Sequence, residues 1–324
     1  MRARGEWPAL LAISVGSAVW GLTWYPLRWL ASCGVSGTLA SGLTGLAACV
    51  FVTLWSGPRI WRLPADPLVP ALALAAGVTN VGFTWGVIHG EVMRVLLLFY
   101  LSPAWTALLA RLLLRERLHA FGYALILLSL CGAGLMLWSP ALGMPFPADP
   151  AEWAGLVAGI GFALNNVLTL RIVQRLPQVA PRQRTLLVFG GGALLGCAAA
   201  WFDTGSGNAA HLGGAEILAQ LTRPGLAAAL VLGLGSALAL NNVLVQHGLA
   251  RVAANRAAIV MLLEIVVTAG SAWWLAGEVP GPREWVGGAC IVLSALLAGL
   301  MRHGPPVPDS HPHADGTGRK RAMV

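Results

Sequence analysis

The sequence predicts an all-α integral membrane protein of ten transmembrane helices, arranged as two inverted repeats of five helices each. Three observations support this prediction: the composition, the apolar segments and an internal repeat. Of the 324 residues, 57% are hydrophobic and only 10% are charged, whereas soluble domains have about 25% charged residues. The mean hydropathy of +0.72 agrees with this balance, and the composition therefore places the chain in the membrane class.

Apolar segments fill most of the chain. A bilayer core about 30 Å thick needs roughly 20 apolar residues per helix. Charged residues, Pro and Gly divide the sequence into ten such segments, at 9–31, 37–56, 68–88, 92–114, 120–138, 153–174, 185–202, 225–247, 254–276 and 284–301. The first is too long for the apolar core of a signal peptide, so we expect it to be the first membrane helix.

Basic residues predict the orientation of these helices. Of the 21 Lys and Arg residues, 17 lie at one set of helix ends. The other set carries only Arg28, Arg94, Arg223 and Arg283. Since cytoplasmic loops are enriched in basic residues, we expect a multi-pass protein of the cell inner membrane with both termini in the cytoplasm. An even number of helices agrees with this.

An internal repeat divides the chain into two halves. When the sequence is shifted by 162 residues, 79–118 aligns without gaps on 241–280, and Asn80/Asn242, Arg94/Arg256 and Glu116/Glu278 are among the identities. We expect a first repeat at 9–138, a second at 152–301 and a disordered cytoplasmic tail at 303–324. Because each repeat has five helices, the second is inverted relative to the first, as in many alternating-access transporters.

Several short segments resemble the drug/metabolite transporter superfamily, and specifically its EamA-type permeases. They are Ala18-Val-Trp-Gly-Leu-Thr-Trp24, Tyr100-Leu-Ser-Pro-Ala-Trp105, Leu263-Glu-Ile-Val and Trp285-Val-Gly287. The resemblance implies a five-plus-five inverted repeat and a central cavity lined by helices 1, 3, 4, 6, 8 and 9. It also implies export of amino acids or other metabolites. Two features depart from the family pattern: Glu264 where the first repeat has Ser102, and arginines at Arg94 and Arg256.

Charged residues within the predicted spans are the strongest site candidates, because a charge inside the bilayer costs a few kcal/mol unless it faces a cavity or a partner. Glu264 lies near the middle of the ninth segment. It either binds a substrate amine, couples a proton, or serves as a structural carboxyl bonded to a neighbouring helix. Arg256 lies eight residues before Glu264, and Arg94 lies eight residues before Ser102. The two arginines either gate the pathway through ion pairs and anion capture, or extend to lipid headgroups.

Uncharged polar and aromatic residues form a second group of candidates. Amides and hydroxyls spaced four residues apart give the third and eighth helices a polar face each, and the sixth helix has an adjacent amide pair. They either contact substrate or join helices by hydrogen bonds. Aromatic side chains could line a site for an apolar ligand or a cation. These candidates are Asn80, Thr84, Asn242, Gln246, Asn165, Asn166, Trp20, Tyr100 and Ser102.

Motifs of enzymes, nucleotide binding and metal binding are absent from the sequence. We expect no enzymatic activity, no cofactor, no metal and no nucleic-acid partner. The leading interpretation is a secondary transporter that exports amino acids or related small metabolites by alternating access. The alternatives are an efflux permease for cationic or aromatic xenobiotics and, from another class, a membrane-embedded lipid-handling protein. The partners expected are a small-molecule substrate and the lipid bilayer, and a homodimer is one of the oligomeric states left open.

Overall fold

The computed structural model describes residues 3–114, 120–138, 147–205, 221–249, 260–261 and 263–300. Within these ranges every regular element is helical. The α-helices are α1 (Ala3–Leu22), α2 (Trp24–Ser32), α3 (Gly37–Ser56), α4 (Leu68–His89), α5 (Val92–Phe99), α6 (Ser102–Leu109), α7 (Ala120–Leu137), α8 (Pro150–Arg175), α9 (Pro181–Gly205), α10 (Pro224–Leu249), α11 (Leu263–Ser271) and α12 (Pro282–Leu300). A short 3₁₀ helix covers Pro58–Trp61, and π-helical turns cover Ala110–Leu114 and Ala272–Ala276.

Seven helical segments in the described ranges are long and apolar enough to cross a membrane. They are Trp7–Ser32, Gly37–Ser56, Leu68–His89, Val92–Leu113, Pro150–Arg175, Pro181–Trp201 and Pro224–Gly248. Two shorter apolar helices cover Ala120–Leu135 and Leu263–Ala276. The prediction of an all-helical, multi-pass membrane protein is confirmed, whereas the count of ten helices stays a prediction. The predicted tail 303–324 and the start of the predicted ninth span lie outside the described residues.

Two prolines interrupt membrane segments. A proline has no N–H to bond the carbonyl four residues earlier, and its ring crowds that carbonyl. The residues four before Pro26 and Pro103 are Leu22 and Phe99, which are the last residues of α1 and α5. The first and fourth membrane segments are therefore each broken near their middle, as helix-interrupted transporters require at their sites.

Small residues bring the helix backbones into close contact. A Cβ added to Gly191 of α9 would overlap the Ala73 carbonyl of α4, and one added to Gly45 of α3 would lie 2.7 Å from the backbone nitrogen of Ala193 in α9. On the other side of α4, a Cβ on Gly82 would lie 2.9 Å from the carbonyl of Ala154 in α8. Helices α3, α4, α8 and α9 thus pack backbone to backbone, as membrane helices with glycine-rich faces do.

Local structure repeats with the same 162-residue offset as the sequence. The π-helical turns Ala110–Leu114 and Ala272–Ala276 occupy equivalent positions in that register. Thr106 Oγ1 donates to the Ser102 carbonyl at 2.8 Å, and the equivalent Thr268 Oγ1 donates to the Glu264 carbonyl at 2.8 Å. These likenesses support the predicted repeat, whose inverted orientation stays a prediction.

Candidate substrate site

A small cavity lies between the first membrane segment and helices α3, α4, α9 and α10. Its polar wall consists of hydroxyl and amide side chains, and aromatic rings close it; the lining includes Trp20, Ser41, Thr44, Asn80, Thr84 and Phe189. About 30 Å³ is open to the centres of water molecules, which is room for roughly two waters. The cavity in this conformation is therefore too small for a metabolite.

Four hydroxyl side chains and one amide give the cavity its polarity. Asn80 Nδ2 donates to the carbonyls of Ala76 at 2.8 Å and Val188 at 3.3 Å, which fixes the amide and ties α4 to α9. Thr84, one turn further along α4, is 7% exposed. Ser41 Oγ is buried and makes no hydrogen bond in the described part of the chain. Since an unsatisfied buried hydroxyl is costly, Ser41 is the group best placed to bond a water or a ligand in this cavity.

Glu264 lies in the first turn of α11, packed against the first membrane segment. A Cβ added to Gly21 would lie 2.7 Å from the Glu264 carbonyl, and Thr268 Oγ1 is 3.1 Å from the Gly21 carbonyl. Glu264 is therefore packed within the bundle and keeps part of its accessible surface.

The partner of Glu264 is the hydroxyl of Tyr100, at the break between α5 and α6. The two groups are close enough to interact electrostatically, although the Tyr100 hydroxyl makes no hydrogen bond of standard geometry. No salt bridge to Glu264 occurs among the residues that the structure describes. Arg256, the predicted neighbour of Glu264 on the same helix, lies outside those residues.

The backbone of Glu264 lies close to the wall of the cavity. Trp20 lines the cavity and the next residue, Gly21, contacts the Glu264 backbone. A chain of rings makes a second connection: the centroids of Phe83, also in the cavity wall, and Phe99 are 5.4 Å apart, and those of Phe99 and Tyr100 are 5.9 Å apart. We treat the cavity and the Glu264–Tyr100 pair as two parts of one candidate site.

The second predicted polar face lies elsewhere. Asn242 Oδ1 accepts a hydrogen bond from Thr185 Oγ1 at 3.0 Å, which joins α10 to α9, and Gln246 is exposed. The neighbouring Asn241 is 3% exposed and donates to the Gly16 carbonyl at 3.1 Å. The structure thus uses this part of α10 to join helices, and the sequence analysis missed Asn241 because the repeat pointed to Asn242.

The remaining polar candidates are divided between core and surface. Asn165 is half-buried and its Oδ1 makes no hydrogen bond within the described ranges, whereas Asn166 is exposed. Ser102 is 4% exposed, and its backbone carbonyl accepts the Thr106 hydroxyl. Of these three residues, Asn165 alone has an unbonded buried side-chain atom that a ligand could use.

The cavity also differs from the one that the family resemblance implies. Helix α3, the second membrane segment, and helix α9, the seventh, contribute Ser41, Thr44 and Phe189 to its wall. The sequence analysis did not select these residues. A Ser and a Thr three positions apart share a helix face, and this spacing was the available signal.

Arg94 forms ion pairs, as one of the two sequence interpretations predicts. Its Nε lies 2.9 Å from Glu152 Oε1 in α8 and 3.6 Å from Glu284 Oε1 in α12. The contact with Glu152 is an ion pair without standard hydrogen-bond geometry.

The carboxyl of Glu91, in the turn before α5, has a raised pKa. Burial is the main cause and repulsion from Glu284 the second, while Arg94 lowers the pKa.

Comparisons with known proteins agree with this architecture. A protein of Pseudomonas aeruginosa named as an uncharacterized transporter is 25% identical over 130 residues, which cover 39% of this chain. The match spans only 41% of that relative's length. A solved crystal structure of another protein superposes with a TM-score of 0.50 at 19% identity, over 89% of this chain and 96% of the other. At that identity the likeness shows the fold alone.

The family model for EamA-like transporters matches residues 150–300, which contain α8 to α12 and Glu264. The resemblance predicted from the sequence is thereby confirmed over residues 150–300, where the chain is similar to EamA-like transporters.

Proposed function

We propose that this chain is a secondary transporter in which Glu264 binds the transported species or the proton coupled to it. One observation supports the proposal most directly: an internal carboxyl in a membrane helix faces Tyr100 and has no basic partner among the described residues. An ionised carboxylate in such a place must be neutralised by a proton or by a cation. The charge of the site therefore depends on whether a proton or a cationic substrate is bound to Glu264.

The leading substrate class is amino acids and related small metabolites. The Glu264 carboxylate supplies a partner for an amino group, and Ser41, Asn80 and Thr84 supply uncharged polar groups in the adjoining cavity. Substrates of this size need more than the 30 Å³ now open. Binding therefore requires another conformation, as alternating access provides.

A second candidate is efflux of cationic or aromatic compounds. Aromatic rings lie along the route from the cavity to the carboxyl, at Trp20, Phe83, Phe99 and Tyr100. Ring faces attract cations, and no basic side chain in the described ranges pairs with Glu264 to oppose them. These features suit an organic cation at least as well as a zwitterion.

A transport screen in liposomes tests the proposal and separates the two substrate classes. Purified protein would be reconstituted with a pH gradient and offered the twenty radiolabelled amino acids and tetraphenylphosphonium, an aromatic cation, with protein-free liposomes as control. Gradient-dependent movement of amino acids would support the leading class, and movement of tetraphenylphosphonium alone would support the second. Movement of neither above the control would contradict the proposed function.

A further inference from the structure

Charged side chains from separate elements meet at the end of the bundle opposite the arginine-rich end. At their centre is Glu278, just after α11 and its π-helical turn. Its carboxylate is 3.1 Å from Arg28 Nη2 and accepts hydrogen bonds from the backbone N–H groups of Val92 at 3.0 Å and Met93 at 3.1 Å. Glu278 thus caps the first turn of α5, a helix to which it is distant in sequence.

Arg28 extends this contact to the end of α4. Its Nε donates to the Val87 carbonyl at 2.8 Å and its Nη2 to the Gly90 carbonyl at 2.6 Å, both at the end of α4. Its guanidinium also lies over the Trp24 ring, 5.2 Å from the centroid. The pair Arg28–Glu278 therefore joins α2, the end of α4, the start of α5 and the segment after α11.

Arg94 of α5 adds two helices at the same end, since it pairs with Glu152 of α8 and Glu284 of α12. We call Arg28, Glu278, Arg94, Glu152 and Glu284 the charge network. Their side chains are between 7% and 29% exposed. Four of the five side chains are 15–29% exposed, so the Arg28–Glu278 and Arg94–Glu284 contacts can separate without leaving a dry, unpaired charge. Glu152 is buried, and its pair with Arg94 is the part of the network that is costly to break.

The backbone next to Glu278 departs from regular helix. A π-helical turn covers Ala272–Ala276, and Gly277 has a φ of +68°, in the left-handed region. π-Helical turns recur at functional sites, and a left-handed residue ends a helix without continuing it. Glu278 therefore lies at an irregular helix end. The backbone there can change conformation without unwinding a regular α-helix.

The arginine-rich end has weaker contacts in the described ranges. Its ion pair, Arg175–Asp66, is 4.0 Å long, with Arg175 68% exposed. Arg171 and Arg184 bond backbone carbonyls of Leu113 and Val179. Among the residues that the structure describes, the shortest ion pairs therefore lie at the opposite end.

We propose that the charge network is a latch that closes the central cavity at this end and opens during each transport cycle. The proposal rests on the proposed function, since it requires alternating access. It follows from the closed cavity together with the position of the network, which joins the ends of α2, α4, α5, α8 and α12. The distribution of basic residues predicts that this end faces the outside.

The accessibility of the cavity tests the latch. In a variant without the five native cysteines, Thr84→Cys would report on the cavity, and a membrane-impermeant maleimide would be added to intact cells. Glu278→Gln removes the charge and keeps the side-chain volume. We expect it to raise the rate of modification about tenfold, which corresponds to ~1.4 kcal/mol in the closed-to-open equilibrium.

Two further variants make the test decisive. Arg223→Gln removes an exposed charge at the same end outside the network and should leave the rate unchanged. Glu284→Gln removes only the 3.6 Å contact and should raise the rate less than Glu278→Gln does; it also serves if Glu278→Gln fails to fold. If the maleimide modifies Thr84→Cys at the same rate in both Glu variants as in Arg223→Gln, the network is a static structural contact and the latch proposal is wrong.

The outcome is separable from that of the proposed function. The modification rate needs no substrate, so a protein that moves nothing in liposomes but opens on Glu278→Gln would support the latch and contradict the transport proposal. Conversely, a working transporter with unchanged modification rates would contradict only the latch.

Discussion

Substituting Gly191 with alanine tests the packing on which the candidate site depends. An added Cβ would overlap the Ala73 carbonyl, a backbone atom of α4 that cannot move aside as a side chain can. Helices α4 and α9 would have to separate. Overpacking of this kind costs about 1–3 kcal/mol, which is roughly a five- to 150-fold change in the folding equilibrium. The same separation would displace Asn80, whose amide bonds the Val188 carbonyl across this interface.

Gly233→Ala is the matched control for Gly191→Ala. Gly233 is also a helical glycine, in α10, but no heavy atom lies within 4 Å of an added Cβ. Alanine has the higher helix propensity by about 1 kcal/mol, so we expect equal or higher stability. The melting temperatures of both variants in detergent, and their levels in membranes, measure the difference. If Gly191→Ala has the same melting temperature as Gly233→Ala, the close packing of α4 on α9 is wrong.

Three further predictions concern the helix contacts, the charged end and the topology. Thr185→Val should lower stability by about 0.6 kcal/mol, a typical value for a hydrogen bond between membrane helices, because it removes the bond to Asn242; an equal melting temperature would contradict this. Glu91→Gln should raise stability at neutral pH and lose that advantage in acid. Burial raises the folded pKa of Glu91 above that of an ordinary exposed carboxyl, so its ionised form destabilises the fold as pH rises through that pKa, and well below the unfolded pKa both states are protonated. An advantage that grows on acidification would refute the argument. Reporter fusions at Pro145 and Gly207 should read outside and one at Val324 inside; an outside reading at Val324 would contradict an even helix count.

Membrane segments and their interruptions were predictable from local sequence. Segment lengths follow from bilayer thickness, and the breaks after Leu22 and Phe99 follow from Pro26 and Pro103 alone. Glu264 was also recognisable, because a carboxylate in an apolar span has few structural explanations.

Contacts distant in sequence were not predictable. The sequence singles out Arg94, but nothing local indicates that Glu152 and Glu284 approach it from α8 and α12. Asn80 lines the cavity, whereas its repeat counterpart Asn242 accepts a hydrogen bond from Thr185. Equivalent positions in a repeat share backbone geometry, whereas their surroundings depend on the helices that pack against them.

The transport rate of Glu264→Gln tests the central claim most directly. The substitution keeps the side-chain volume and the capacity to form hydrogen bonds, but the amide cannot be ionised. Asp66→Asn, which removes a carboxylate at the arginine-rich end, is the control. At equal membrane levels, and with a substrate found in the liposome screen, we predict that Glu264→Gln loses transport or its pH dependence while Asp66→Asn keeps both. Wild-type rates and pH dependence in Glu264→Gln would show that this carboxyl is structural and contradict the account.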